Sequence, residues 1–245
     1  AAIKSGKTLA FPKTDDGSLR LAMTGHSWVE PGIKTLAPLA KAAGYAGHWQ
    51  ITHTGSGGGG SANAIWLKEF GKYRDAGEAM PKLIPAIATG GWDVMTWGPF
   101  AGDKLVYFAQ WIDFCLQHNP RMIFLLQDVW PQYDSTYETM QPAAIMAAIK
   151  GEHELMQAEM FAPLYRAFEK DDPGKIHIIP VSAALVDLIG QFAAGKIEHL
   201  TCINEAKRDG EVGFYSDGGH LSRTSGIEHL VGYGYFSMLY RRSPA

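Results

Sequence analysis

From Leu19 onward the chain alternates short apolar runs with longer segments of helical period, and this rhythm restricts the fold more than any other feature. The runs "LRLAMTG", "HWQITHT", "WDVMTWG", "RMIFLLQDVW" and "KIHIIPVS" read as five strands. Between the first two, "EPGIKTLAPLAKAAG" reads as a helix with Pro31 near its first turn and Gly44 closing it. The segment from Ala62 to the third strand carries helical stretches broken at Gly71 and Pro81. "KLVYFAQWIDFCLQHNP", a long region near residues 140–170, "AALVDLIGQFAAG" and the final "SGIEHLVGYGYFSMLYRR" supply the remaining helices. Parallel strands need long, usually helical crossovers, so the pattern predicts an α/β fold: a three-layer α/β/α sandwich with a five-stranded parallel sheet. Residues 1–18 are expected to form an N-terminal extension and 19–245 a single domain.

Composition narrows the partners. With 46% hydrophobic residues, the 245-residue chain can bury one sizeable core. A formal net charge of −3 with no long run of Lys or Arg recommends neither a nucleic acid nor an anionic membrane surface. No apolar stretch approaches the ~20 residues of a membrane-spanning helix. The opening segment lacks the apolar core of a signal peptide and is compatible with a mature end left after cleavage. Cys115 and Cys202 have no metal-ligand spacing and read as buried small hydrophobes.

"THTGSGGGGSAN", Thr52 to Asn63, has the composition of a flexible tether, yet it falls between the second strand and the helix after it. Ligands of open parallel sheets bind outside the carboxyl ends of the strands. The run is therefore read as a turn whose backbone approaches a ligand closely.

Two further segments carry candidate chemistry. Strand one ends in "MTGHSWVEPG", which sets Ser27 in the turn before a helix, where a hydroxyl is exposed and the first N–H groups point outward. The plainer alternative is a helix N-cap. Ser18, in "DGSL", precedes its strand and reads as a turn residue. Near the other end, "YSDGGHLSRTSG" puts Asp217 three residues before His220. A serine nucleophile needs a general base, and that base needs a carboxylate to fix its tautomer; an Asp-x-x-His turn can supply both.

A serine after strand one, a glycine turn after strand two and Asp-x-x-His before the last helix together resemble the SGNH hydrolases, also called the GDSL esterase family. The resemblance runs along nearly the whole chain and implies a flavodoxin-like sheet and a serine esterase without metal or organic cofactor. It assigns Ser27 as nucleophile, with His26 in place of the family's usual Asp, and Asp217 and His220 as its partners. The oxyanion glycine falls at Gly58, with Gly57 the alternative, and its N–H would act beside that of Ser27. The third block departs from the family pattern: "TWGPFAGD" has no Asn where members carry Gly-x-Asn-Asp. Asn63 and Gln127 are candidate replacements for the missing donor.

Trp28, Trp97 and Trp130 fall at carboxyl ends of strands and are expected either to offer aromatic faces to a sugar or aromatic alcohol or to pack the sheet edge. Glu30 is expected as a first-turn acid favoured by the helix dipole, and His153 as part of a solvated helix face. His48 and His53, five apart, would point to opposite faces of one strand. An α/β-hydrolase is disfavoured, because Val29 breaks the Gly-x-Ser-x-Gly pattern and the acid and His share one turn. The family resemblance implies a small-molecule or polysaccharide ester as substrate, with a carbohydrate O-acetylesterase first, and hence a secreted or periplasmic protein. The rival expectation is a non-catalytic carbohydrate-binding or scaffold protein with the same fold.

Overall fold

The computed structural model describes residues 16–71, 81–100, 102–132, 141–169, 174–206 and 210–243. Most of the expected extension, the segment between Gly71 and Pro81, and residues 170–173 before the fifth strand lie outside the described residues.

All five expected strands form: β1 (Arg20–Gly25), β2 (Trp49–Thr54), β3 (Val94–Trp97), β4 (Ile123–Gln127) and β5 (Ile176–Ile179). They make one parallel sheet in the order β2-β1-β3-β4-β5, the doubly wound flavodoxin-like order. Around it stand α1 (Glu30–Ala42), α2 (Ala62–Glu69), α3 (Leu83–Ala88), α4 (Leu105–His118), α5 (Pro142–Met156), α6 (Ala162–Phe168), α7 (Val181–Ala193) and α8 (His229–Tyr240). The long region expected near 140–170 is α5 and α6 joined through a π-helical turn, Gln157–Phe161. One π turn adds about one residue to the helical repeat and so shifts the apolar face between α5 and α6, while the segment still reads as helix on both sides of it.

The strands are apolar at nearly every position because both faces of the sheet are covered. Leu21, Met23, Val94, Ile123 and Leu125 pack with α1, α5, α7 and α8, while Ala22, Met95, Phe124 and Leu126 pack with α2, α3, α4 and α6. Cys115 and Cys202 are both buried. A short parallel pair, β6 (Cys202–Asn204) and β7 (Gly213–Tyr215), was not foreseen, since three residues carry no readable periodicity.

Two glycines lock the helices that follow the candidate site segments. A Cβ on Gly32 of α1 would lie 2.6 Å from Val231, and one on Gly232 of α8 would lie 2.4 Å from Thr35. The α1 and α8 backbones can approach this closely because neither glycine carries a side chain. Ser27 immediately precedes α1 and the segment carrying His220 leads into α8, so this contact brings the two segments to the same side of the sheet.

His153 corrects one expectation. Its side chain is one-third exposed, and Nδ1 lies 3.2 Å from Oδ2 of the fully buried Asp128. Asp128 also accepts the Ser182 N–H (2.9 Å) and hydroxyl at the start of α7. The hydrogen bond to Asp128 raises the His153 imidazole above its ordinary range, against the opposing effect of burial. A raised folded pKa gives stability that is full below the unfolded value of about 6.5 and is lost as pH rises through the folded value. Thermal midpoints of the wild type should therefore fall more steeply between pH 6 and pH 9 than those of His153→Gln; parallel slopes would remove this coupling.

Candidate active site

The turn after β1 is built around Val29. Its N–H donates to the His26 carbonyl (2.9 Å), and its fully buried side chain fills the space that Cβ atoms on Gly25 and Gly98 would occupy. With Val29 held below, Ser27 stands partly exposed above the carboxyl edge of the sheet. Ser27 does not cap α1, whose N-cap position is Val29 without a side-chain bond. The Ser27 hydroxyl instead lies 2.8 Å from His220 Nε2.

Asp217 and His220 meet as their spacing predicts. Asp217 Oδ1 accepts the N–H groups of Gly219 and His220, both at 2.9 Å, and Oδ2 lies 2.8 Å from His220 Nδ1. Partial burial alone would raise the Asp217 carboxyl. The two N–H groups and the imidazole outweigh it and hold the carboxyl below the usual Asp range. With Nδ1–H donating to Asp217, Nε2 is free to accept the Ser27 proton. The turn is closed by Ser216 N–H to the His220 carbonyl (3.0 Å) and by a bridge between Tyr215 and Leu221, so the unforeseen β7 is its anchor.

The glycine run forms a tight turn, Gly57–Gly60, packed on the end of β1. A Cβ on Gly60 would meet the carbonyl oxygens of Gly25 and Gly55 and the His26 Cα, all within 2.6 Å, and one on Gly55 would sit 2.1 Å from the Gly59 oxygen. Gly57 has φ +48°, in the left-handed region. Packing therefore demands Gly55 and Gly60, and backbone conformation demands Gly57. The N–H groups of Ser27, Gly57 and Gly58 donate to no acceptor among the described residues. Of the two glycines expected as oxyanion donors, Gly57 lines the cavity beside Ser27 and Gly58 does not.

The tryptophans divide. Trp97 lies in the core, 1% exposed, against Phe108, Trp111 and Phe124, and does not line the cavity. Its expected place on a substrate rim is thus corrected: it shares the buried face of β3 with Met95. Trp28 is partly exposed and lines the cavity. Trp130 also borders it but is 1% exposed, stacked on Trp28 at 5.0 Å with its indole N–H donated to the Gly219 carbonyl.

The loop after β3 brings Pro99 and Phe100, not a polar side chain, to the cavity wall. Asp103 holds it by accepting the N–H groups of Phe100 (3.0 Å) and Ala62 (3.1 Å), and its burial raises its carboxyl. Neither proposed substitute for the missing Asn reaches the cavity. Gln127 is buried with its amide toward the Trp28 carbonyl, and Asn63 lies in the first turn of α2. His26, for which the sequence offered no role beyond a departure from pattern, is 3% exposed and donates Nε2–H to the Pro99 carbonyl (3.1 Å). Burial lowers its pKa, against the Pro99 bond. His48 and His53 do face opposite sides, toward Tyr240 of α8 and Glu69 of α2.

Two cavities open on the Ser27–His220 pair. One of about 680 Å3 is walled by Trp28, Phe100, Val129, Trp130 and Met156, with Glu152 at its border. Another of about 420 Å3 lies toward Glu30, Glu205, Arg223 and Glu228. Among the described residues no group of three or more His, Cys, Asp or Glu side chains is placed to hold a metal ion, and no helix is long and apolar enough to cross a membrane.

No family model matches the chain, and neither does any curated protein. Among solved structures it is similar to a GDSL-like lipase from Bacteroides thetaiotaomicron, at 11% identity and a TM-score of 0.47, over 98% of this chain and 96% of that one. It is also similar to a structure described as a possible lipase from Chitinophaga pinensis, at 11% identity and a TM-score of 0.41, over 91% and 98%.

Proposed function

We propose that the chain is a serine ester hydrolase of the SGNH type. The observation that carries this reading is the unbroken hydrogen-bonded series from Ser27 Oγ through His220 to Asp217, at the mouth of two cavities and beside backbone N–H groups that have no acceptor among the described residues. Ser27 Oγ attacks the ester carbonyl as its proton passes to His220 Nε2, while Asp217 holds the imidazole in the Nδ1–H tautomer and stabilises the imidazolium. The N–H groups of Ser27 and Gly57 face the developing oxyanion; Gly57 takes the role over Gly58 because it borders the cavity. The imidazolium returns its proton to the departing alkoxide, leaving an acyl-serine. Water, deprotonated by the same imidazole, then releases the acid and restores Ser27.

The finer reading is a carbohydrate O-acetylesterase acting in a secreted or periplasmic setting. The partly exposed Trp28 ring in a roomy cavity supports it, as a face on which a sugar ring can stack. The absence of a side-chain donor from the loop after β3 favours the rival, a carbohydrate-binding protein without turnover. Treatment with a fluorophosphonate separates the two. A stoichiometric adduct on the peptide containing Ser27, absent in His220→Ala, is expected of the hydrolase; a folded protein that stays unlabelled would sink it.

A further inference from the structure

We propose that Trp130 is a positioning residue for the reaction, holding the Asp217–His220 turn at the distance from Ser27 that the proton transfer needs. The inference rests on the serine-hydrolase reading above for its kinetic consequence, and on geometry alone for its structural one.

The turn has two kinds of restraint. Its internal bonds, from Asp217 to the N–H groups of Gly219 and His220 and from Ser216 N–H to the His220 carbonyl, set its shape. They say nothing about where the turn stands relative to Ser27, which lies 193 residues away in sequence. Leu221, just past the turn, is tied to β7 through the Tyr215 bridge. At Gly219, in the middle of the turn, the tie is the Trp130 indole N–H, 2.8 Å from the carbonyl oxygen. Both partners are buried, so neither can exchange this bond for water without cost.

The same indole is stacked on Trp28, the residue after Ser27, with an interplanar angle of 16°. Trp28 in turn lies so close under the turn that a Cβ on Gly219 would come within 2.8 Å of its ring. The loops after β1 and β4 thus form a two-tryptophan platform on which the turn rests. Gly219 is required for that seating, and Trp130 supplies its polar contact. A displacement of about 1 Å in a catalytic group is enough to cost roughly a hundredfold in rate.

Trp130→Phe keeps an aromatic ring in the stack and removes the donor. In that variant kcat for an aryl acetate should fall roughly 10- to 100-fold with KM within about twofold of wild type. The ring-nitrogen shifts of His220, read through its carbon-bound protons and assigned against His220→Ala, should move from the Nδ1–H tautomer toward a mixture. Trp97→Phe is the control for loss of a buried indole: its N–H has no partner among the described residues, so kcat and the His220 shifts should stay as in wild type. Wild-type kcat and wild-type shifts in Trp130→Phe would overturn the proposal. If the wild type shows no Ser27-dependent turnover, the hydrolase reading falls and the His220 tautomer still decides the role of Trp130. Should Trp130→Phe not fold, Gly219→Ala tests the same platform from the turn's side, with the same expected and overturning results.

Discussion

Ser27→Ala is expected to lose roughly 10⁴- to 10⁶-fold in kcat on aryl acetate esters, with its thermal midpoint within a degree or two of wild type. The asymmetry follows from where the hydroxyl sits. Its one described partner is the His220 imidazole, which is 46% exposed, beside an Asp217 carboxylate that is 55% exposed. Removing a hydrogen bond in so wet a place costs the fold little. For the chemistry the loss is nearly total, because water at the same position lacks the fixed approach that Ser27 has from its turn. What survives should be the contribution of the N–H groups of Ser27 and Gly57 and of substrate binding. Initial rates on acetate, butyrate and octanoate esters check this and the acyl preference together. Acetate-selective turnover that vanishes in the variant supports the deacetylase reading. Equal rates in both proteins would remove Ser27 as nucleophile and favour the binding protein.

Much of this site was legible because its parts are local. Asp217 and His220 share one turn, and Ser27 stands at a strand-to-helix junction, so three short segments and the sheet's winding order bring them together without knowledge of packing. The strands were legible for a related reason: burial on both faces leaves an apolar run bounded by turn residues. The contacts that stabilise the arrangement are of another kind. Trp130 to Gly219 spans 89 residues and His153 to Asp128 spans 25, and neither pair leaves a spacing rule in the sequence.

The tryptophans were less legible. All three stand at or just past strand ends, and position along a strand does not say which way a ring turns. Alternation would have helped for Trp97, which is two residues from the buried Met95 and shares its face. No such rule reaches Trp28 and Trp130, which lie beyond their strands in loops whose path is set by contacts with each other. The position of the glycine run after β2 implies close backbone approach. In the structure Gly55 and Gly60 are pressed against the end of β1, and Gly57 alone of the run borders the cavity with a left-handed backbone.

His26→Asp would restore the Gly-Asp-Ser pattern of the family that the chain resembles, and here it is expected to do harm. His26 is 3% exposed, lies edge-on to Trp28 and Phe100 with ring centroids 5.3 Å away in both cases, and donates to the Pro99 carbonyl. A carboxylate in that space has no proton for Pro99 and faces its oxygen instead. It is also shorter than an imidazole, so the two aromatic rings lose part of their contact. Left charged and unpaired, it should cost roughly 3–5 kcal/mol of stability; taking up a proton to avoid this costs about 1.4 kcal/mol for each unit its pKa must rise. A negative charge at the cavity wall also opposes the oxyanion that forms beside the Ser27 N–H, so kcat should fall beyond what the loss of folded protein explains. His26→Gln, whose amide N–H can reach Pro99, should retain far more of both. The pH dependence separates these effects. Burial holds the folded His26 pKa below its ordinary value, so its share of stability is complete above about pH 6.5 and is lost as pH falls through the folded value. His26→Gln should therefore melt with a flatter acid slope than wild type. Thermal midpoints from pH 5 to pH 8 and kcat at pH 8 decide the matter: an Asp variant equal to wild type in both would show that the Pro99 contact contributes nothing.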